Sequence, residues 1–308
     1  MAVSLDVLCV GVATLDTIAL VDQAPGPDSR VVSEPFVVAG GGPAATAAVA
    51  LARLGAAVGF SGAVGEDPAG AAIRDMLRAE GVDTRWLVAD PGLRTPQSMI
   101  IVSRSTGARA IVTTPSAPPV GVRVPAGAAT WMHVDQTGYR SAAADTARQA
   151  GRPLLSVDGG NPIPGLDLTG VRLYAPTVTA LRAAFPAADL AGSLSAARAA
   201  GAEQVVATDG AAGTWVLTED GPHLVPGVSI DPVSTMGAGD VFHGALLAGL
   251  VEGLDLLDAT ARANLVAALS CRALDGRSGI PDAAETEQYQ QTTAAPVGVA
   301  GARRVGES

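Results

Sequence analysis

The sequence predicts an α/β fold in which helices cover both faces of a mostly parallel central sheet and a small β-sheet lid stands beside it. Short apolar runs alternate with helical stretches along most of the 308 residues, which is typical of βαβ units. Two β-rich stretches, at about 14–38 and 94–114, interrupt that alternation. Hydrophobic residues make up 48% of the chain and charged residues 16%, so a sizeable core can be buried.

The first predicted element is a buried strand at 5–13 (LDVLCVGVA), an almost continuous apolar run that ends before Asp16. A helix is predicted at 43–54, because Pro43 suits a first helical turn and Gly55 a helix end. The alternation of strands and helices then continues at 57–64, 68–80, 130–134, 141–150, 153–158, 171–175, 194–200 and 203–208.

The two interrupting stretches predict the lid. Residues 17–38 contain the β-like pieces TIALVD and RVVSEPFVV, and residues 95–114 form two β-rich runs around a Ser-Thr-Gly turn. A four-stranded sheet built from them would cover a site near the end of the first strand. Its exposed edges and apolar face predict a homodimer formed through the lids. We expect one domain at 1–287 and a flexible tail at 288–308.

Composition excludes several classes of function. Acidic residues number 30 and basic residues 20, a net charge of −10 that opposes binding to nucleic acids or anionic membranes. Every basic residue is arginine, which excludes a Schiff-base lysine and a Walker-type phosphate lysine. Cys9 and Cys271 are expected to be buried free thiols, and no signal peptide or membrane span is evident. We therefore expect a cytoplasmic protein.

The segment STMGAGDVFHGALLAG at 234–249 carries the strongest chemical signal. Gly237, Ala238 and Gly239 precede an apolar helix, where unpaired backbone N–H groups and the helix dipole can bind an anion. Asp240 lies in the first turn of that helix. It is either an ordinary capping residue or a general base beside an anion-binding site, as phosphoryl transfer to a hydroxyl requires.

Two further glycine-rich segments lie next to predicted elements, one before a helix and the other after a strand. AGGGPAATAAVALARLG at 39–55 places three glycines before a helix, and ATDGAAG at 207–213 follows an apolar run. Either segment is a tight turn or a place where the backbone approaches a ligand. Neither is a Walker loop or a dinucleotide-binding fingerprint.

Taken in order, these residues resemble the PfkB (ribokinase-like) carbohydrate kinases over about residues 5–285. Within that family the sequence motifs are most similar to those of sulfofructose kinases, and in part to those of ketohexokinase. The matching pieces are Asp16, Gly40-Gly41-Gly42, GAVGEDPAG at 62–70, TDGAAG at 208–213, GAGD at 237–240 and GRSGIPD at 276–282.

The resemblance implies a ribokinase-like three-layer α/β/α domain that transfers a phosphoryl group from ATP, with Mg²⁺, to a sugar hydroxyl. It assigns the proton transfer to Asp240 and the transferring phosphoryl to the backbone at Gly237, Ala238 and Gly239. The implied sugar ligands are Asp16, Gly41, Gly42 and the position of Thr46. The implied nucleotide ligands are Thr208, Gly210, Gly213, Asn264 and Gly279.

The sequence departs from the family pattern at several positions. Pro43 and Thr46 stand where the family usually has asparagines that contact the sugar. Ser234 replaces an aspartate that helps to bind a monovalent cation, so activation by K⁺ stays open. The segment YAPTVTA at 174–180 lacks the Asn-x-x-Glu pattern that organises the Mg²⁺ water.

The expected substrate is a small-molecule ketohexose or a ketohexose derivative. Sulfofructose is the specific alternative, with Arg30 and Arg140 as the arginines best placed to bind its anionic group. The sequence is also compatible with a nucleoside kinase of the same family and with a non-catalytic sugar-binding paralogue. His243 and Asp158 are expected to have packing and turn roles.

Overall fold

Nine strands form one large, mostly parallel sheet in the computed structural model, which describes residues 4–106, 108–116, 127–141 and 152–293. In sheet order the strands are β13 (Gly221–Pro226), β12 (Gly213–Thr218), β11 (Gln204–Thr208), β10 (Val171–Ala175), β9 (Leu154–Asp158), β8 (Ala129–Val134), β1 (Leu5–Val10), β4 (Val58–Gly65) and β5 (Asp83–Asp90). Only the pairs that β12 makes with its two neighbours are antiparallel in this described sheet.

Helices cover both faces of this sheet, which confirms the predicted three-layer fold. The described helices are α1 (Pro43–Arg53), α2 (Pro68–Ala79), α3 (Val178–Ala184), α4 (Leu190–Ala199), α5 (Ala238–Val251), α6 (Leu256–Ser270) and α7 (Ala283–Thr293). Side chains of β1 alternate between two cores, because successive residues of a strand point to opposite faces. Val7 and Cys9 join the core under α1, α2, α5 and α6, whereas Leu8 and Val10 join the core under α3 and α4.

The predicted small sheet is also present. Its four strands, in sheet order, are β3 (Val37–Gly41), β2 (Thr14–Val21), β6 (Gln97–Ser103) and β7 (Arg109–Thr113). One face buries Ile18, Ile100 and Val102 against Met236 and Leu274, which flank the N-terminus of α5 and the 276–282 turn. The small sheet is therefore anchored beside the glycine-rich segments that the sequence marked.

Several predicted boundaries differ from the observed ones. The first strand ends at Val10 rather than at residue 13, and Asp16, which was predicted to follow that strand, lies inside β2. Helix α4 begins at Leu190, earlier than predicted, and α3 was not predicted at all. Residues 138–141 are helical, and the rest of the helix predicted at 141–150 lies outside the described residues.

The start of the predicted tail is helical. Helix α7 extends to Thr293. Its start is held by Asp282, which accepts the backbone N–H of Glu285 at 2.8 Å, and by the pairing of Arg272 with Glu285. Residues 294–308 lie outside the described part of the chain.

Both cysteines are buried and unpaired, as their apolar surroundings predicted. None of the helices in the described ranges has the length and apolar composition needed to cross a membrane.

Candidate active site

Helices α1 and α5 pack so closely that their glycine-rich N-terminal segments meet at one site. A Cβ on Gly244 would lie only 2.4 Å from the carbonyl oxygen of Ala47, so glycine is needed at this crossing. The turn at 276–282 joins the two N-termini. Gly276 lies against Gly237, and Arg277 Nη2 donates a hydrogen bond to the carbonyl of Gly41 at 2.8 Å.

The N-terminus of α5 is built to receive an anion. Gly237, its N-cap, has a φ of 72° and no side-chain cap, whereas side chains cap α2, α3, α4 and α6. A Cβ on Gly239 would meet nothing within 4 Å, so the backbone there faces open space. The Ala238 N–H donates to the carbonyl of Thr235 at 3.4 Å, and the N–H groups that follow it in the first turn are available to a bound phosphoryl group.

Asp240 lies in the first turn of this helix and is only partly exposed. Burial, together with the nearby charges of Asp158 and Asp135, raises its pKa to about 7, although His243 and Arg277 oppose the shift. A carboxyl group that titrates near neutral pH suits a general base.

Asp16 and Gly41 form the part of the site contributed by the small sheet. Asp16 is buried, and within the described residues its Oδ1 has no hydrogen-bond partner. Burial raises the pKa of Asp16, while hydrogen bonds from Thr14 and Ser98 and the charge of Arg277 lower it in part. A Cβ on Gly41 would lie 2.0 Å from Asp16 Oδ2, so only glycine lets the two strands bring backbone and carboxylate together.

Arg277 is the site residue that sequence reasoning missed. Its buried guanidinium donates to Gly41 and, through Nε, to the hydroxyl of Thr46 at 3.3 Å. Burial lowers its pKa to about 10, with Asp16 first among the carboxylates that oppose the shift. The available signal was a single basic residue inside the GRSGIPD turn.

The ligand roles predicted for Thr46, Arg30 and Arg140 do not agree with where these residues lie. Thr46 is 2% exposed and contacts Arg277, so it supports the arginine more directly than it could contact a sugar. Arg30 and Arg140 are both exposed, Arg30 on an exposed stretch of the lid connection and Arg140 on the helical residues 138–141. Arg277 is the arginine that the fold buries at the site.

The candidate nucleotide residues follow β11. Thr208 ends that strand and pairs with Thr177, and Gly210 opens an exposed 3₁₀ turn where a Cβ would meet nothing. Gly213 has a φ of 113° and lies so close to the β13 backbone that a Cβ would be 2.2 Å from the carbonyl oxygen of Val225. The turn thus leaves Gly210 open to a ligand, while Gly213 holds the hairpin.

Asn264 and Gly279 have structural roles in this geometry. Asn264 Oδ1 accepts from the Thr214 hydroxyl at 2.7 Å, and Nδ2 donates to the carbonyls of Val225 and Pro226 at 3.1 Å each. Both amide hydrogens are engaged, so none is left for a nucleotide base. A Cβ on Gly279 would lie 2.3 Å from the carbonyl oxygen of Ser270, so this glycine allows the 276–282 turn to pack on α6.

Three buried acidic and basic groups lie behind the site. Asp135 accepts the backbone N–H groups of Val12, Thr137 and Gly138 at 2.7–2.8 Å, and burial raises its pKa to about 6. His243 Nε2 lies 3.2 Å from Asp158 Oδ1. The turn and packing roles expected for Asp158 and His243 therefore understate their contact, because the two buried side chains meet and Asp158 raises the pKa of His243.

The positions that depart from the family pattern serve local structure. Ser234 Oγ accepts the N–H of Met236, and Thr177 caps α3 at the place where the Asn-x-x-Glu pattern was expected. Across the described ranges no group of three His, Cys, Asp or Glu side chains could hold a metal ion. We therefore assign no protein ligand to Mg²⁺.

Comparisons with known proteins agree with this geometry. A profile described as "pfkB family carbohydrate kinase" matches residues 4–119 and 166–283. The chain is 28% identical to the ribokinase of Bacillus subtilis over 296 residues, 92% of this chain and 98% of the relative. It is 29% identical to the fructokinase of Vibrio alginolyticus over 266 residues, 77% and 83% of the two chains.

Solved structures show the same fold. The structure of Arabidopsis thaliana ribokinase complexed with ribose and ATP matches with a TM-score of 0.79, over 93% of this chain and 98% of that chain, at 19% identity. The profile match, which spans most of the chain, shows more than the fold. The chain belongs to the pfkB family of carbohydrate kinases and is a phosphotransferase that acts on an alcohol group of a sugar or nucleoside.

Proposed function

We propose that this protein transfers the γ-phosphoryl group of ATP to a primary hydroxyl of a ketohexose or a ketohexose derivative. One observation carries the proposal: the uncapped N-terminus of α5 faces open space and bears Asp240, which interacts with Arg277, as Asp16 does. Asp240 accepts the proton of the attacking hydroxyl. The N–H groups near Gly237, Ala238 and Gly239 hold the transferring phosphoryl group.

The remaining site residues bind and orient. The unpartnered oxygen of Asp16 accepts a hydroxyl hydrogen of the sugar, and the backbone at Gly41 and Gly42 approaches the same molecule. Thr208, Gly210 and Gly213 border the nucleotide. ATP supplies the phosphoryl group, and Mg²⁺ bound with it neutralises phosphate charge. Because Ser234 stands where the family has an aspartate that helps to bind a monovalent cation, activation by K⁺ has to be tested by experiment.

The charges around Arg277 favour a neutral sugar. Asp16, Asp240 and Asp275 all interact with its guanidinium, so its positive charge is already balanced. A buried sulfonate would need positive charge that is not balanced in this way. Arg30 and Arg140, which the sequence offered for this role, are exposed. Sulfofructose therefore stays the specific alternative to a neutral ketohexose.

We further propose a homodimer formed through the outer face of the small sheet. Register places Val38, Thr17, Met99 and Val112 in one row across its four strands. The three apolar members of that row are 55%, 68% and 72% exposed. An apolar row of this kind on an otherwise ordinary surface is typical of an interaction face.

A coupled ADP-release assay tests the proposed reaction. Fructose, sulfofructose, ribose and adenosine serve as acceptors, and Asp240→Asn is the control for background ATP hydrolysis. We expect fructose or a neutral derivative to give the highest kcat/KM. A preference for sulfofructose of 100-fold or more, about 2.7 kcal/mol of transition-state discrimination, would exclude the neutral sugar. A preference for adenosine would favour a nucleoside kinase, and no turnover with any acceptor would favour a non-catalytic protein.

A further inference from the structure

The buried Asp158–His243 pair lies directly behind the proposed base. His243 follows Asp240 by three residues on α5, so the two side chains share a face of the helix. Asp158, the last residue of β9, lies 3.2 Å from His243 Nε2, and the two side chains are 5–6% exposed. The other ring nitrogen of His243 is buried and has no hydrogen-bond partner in the described residues.

The surroundings of Asp240 contain more negative than positive charge. Asp135 and Asp158 act on it from the ends of β8 and β9, and His243 and Arg277 oppose them. The titratable groups that complete the buried cluster come from β1, β8 and β10: Cys9, His133 and Tyr174.

The charges that act most strongly on Asp240 do not come from α1 or α6, the helices that pack on α5. The only charged residue of α1 is Arg53, in its last turn, where it pairs with Glu80. From α6, Arg262 pairs with Glu252, which follows the C-terminal end of α5.

We infer that His243, held in place by Asp158, is a positioning residue that keeps Asp240 ionised for catalysis. The inference rests on the proposed role of Asp240 as the base. As an ion pair, His243 and Asp158 present no net charge to Asp240. Loss of the imidazolium alone would leave Asp158 as an uncompensated buried carboxylate near the base. A neighbouring negative charge disfavours the ionised form of a carboxyl group, so the pKa of Asp240 would rise.

The neighbouring histidine cannot take over this role. His133 lies 5.4 Å from His243, ring centre to ring centre, and its Nδ1 is within 3.1 Å of the Ser156 hydroxyl. Burial, together with His243, lowers the pKa of His133 to about 3, so it stays neutral. Burial alone would lower the pKa of His243 as well, but Asp158 and Asp240 raise it above its ordinary value.

The pH dependence of kcat/KM for the best sugar substrate tests this inference, because removing a positive or a negative charge should have different effects. The acid limb is the fall of kcat/KM at low pH as Asp240 becomes protonated. In His243→Gln this limb should move to higher pH by about one unit, as expected when a neighbouring opposite charge is lost. Asp158→Asn should not raise the limb, because a neutral amide replaces the carboxylate. The double variant should return the limb to its wild-type position. His223→Gln, at an exposed histidine of β13, is the matched control.

Two kinetic results would overturn the inference. One is an unmoved acid limb in a folded His243→Gln protein. The other is an equal upward shift in Asp158→Asn, which would indicate general damage to packing rather than an effect of charge.

Nuclear magnetic resonance of His133 and His243 gives a readout that is independent of turnover, and the wild-type measurement does not depend on whether a variant folds. In the wild-type protein the pKa of His243 should lie above the ordinary histidine value, and His133 should stay neutral. Asp240→Asn should lower the pKa of His243, because Asp240 raises it. An unchanged His243 titration would overturn the inference. Coupling without kinase activity would support the charge network and instead contradict the proposed function.

Discussion

Asp240 has the environment of a base rather than of a helix cap. Its pKa of about 7 lies well above the value of about 3.9 for an unfolded aspartate, because burial and two neighbouring carboxylates disfavour its charge. The folded state therefore binds this proton more tightly than the unfolded state. Stability that the protonated group contributes is lost as pH rises from about 4 through about 7.

Asp240→Asn should lower turnover by about 10²–10⁴-fold, the usual contribution of a positioned base. The neutral amide should leave the melting temperature at pH 8 unchanged or higher, and the difference from wild type should shrink towards pH 4. Steady-state kinetics and thermal melts at both pH values check this. Normal turnover with a loss of about 1 kcal/mol of stability would instead show that Asp240 is only a cap.

Arg277→Met should lower kcat/KM for the sugar by about 10²-fold, because a buried charged hydrogen bond to Gly41 is lost and Asp16 loses its counter-ion. We expect KM to rise more than kcat falls, since Arg277 contacts Gly41 of β3 and Thr46 of α1 at the proposed sugar site. Arg272→Met is the matched control, at an exposed arginine five residues earlier that pairs with Glu285. Equal effects of the two substitutions would argue against a site role for Arg277.

At the scale of the element, two glycines at the start of α5 have different roles: Gly237 allows a left-handed backbone conformation, and Gly239 leaves space for a ligand. Gly237 has a left-handed φ, and its Cβ position lies 3.0 Å from the Cα of Gly276. Gly239 has neither constraint, because the space in front of it is open.

Gly239→Ala should therefore keep the melting temperature and lower turnover, because its methyl group occupies the space where a phosphoryl group would approach. Gly237→Ala should lower the free energy of unfolding by about 1–2 kcal/mol through the strained left-handed conformation. Denaturant unfolding and ADP-release kinetics on both variants distinguish the two effects. An active Gly239→Ala protein would show that this end of α5 does not contact the transferred group.

At the scale of the whole molecule, the exposed apolar row of the small sheet determines the expected assembly. Met99→Glu should convert a homodimer to a monomer, because a buried unpaired carboxylate at the interface is unfavourable. Light scattering at micromolar concentration measures the mass. Leu224→Glu, at an exposed leucine on β13, is the control that should leave the dimer intact. A monomeric wild-type protein would contradict the proposed assembly.

The sequence by itself determined the fold class, the existence of the small sheet and the glycine-rich segment that holds Asp240. These depend on local patterns: apolar runs, the Ser-Thr-Gly turn and the small residues before an amphipathic or apolar helix. The resemblance to the family, rather than these local patterns, implied a role in sugar binding for Asp16 and for the glycines at 40–42.

Only the tertiary structure decided which charges meet. Arg277 lies 236 residues from Gly41 along the chain, and Asp158 lies far in sequence from His243, so no spacing could pair them. Likewise, the sequence proposed Arg30, Arg140 and Asn264 for ligand contacts, but folding left the two arginines exposed and engaged both amide hydrogens of the asparagine. Burial and long-range contact set the charge and availability of a polar group, and both arise only when distant segments pack together.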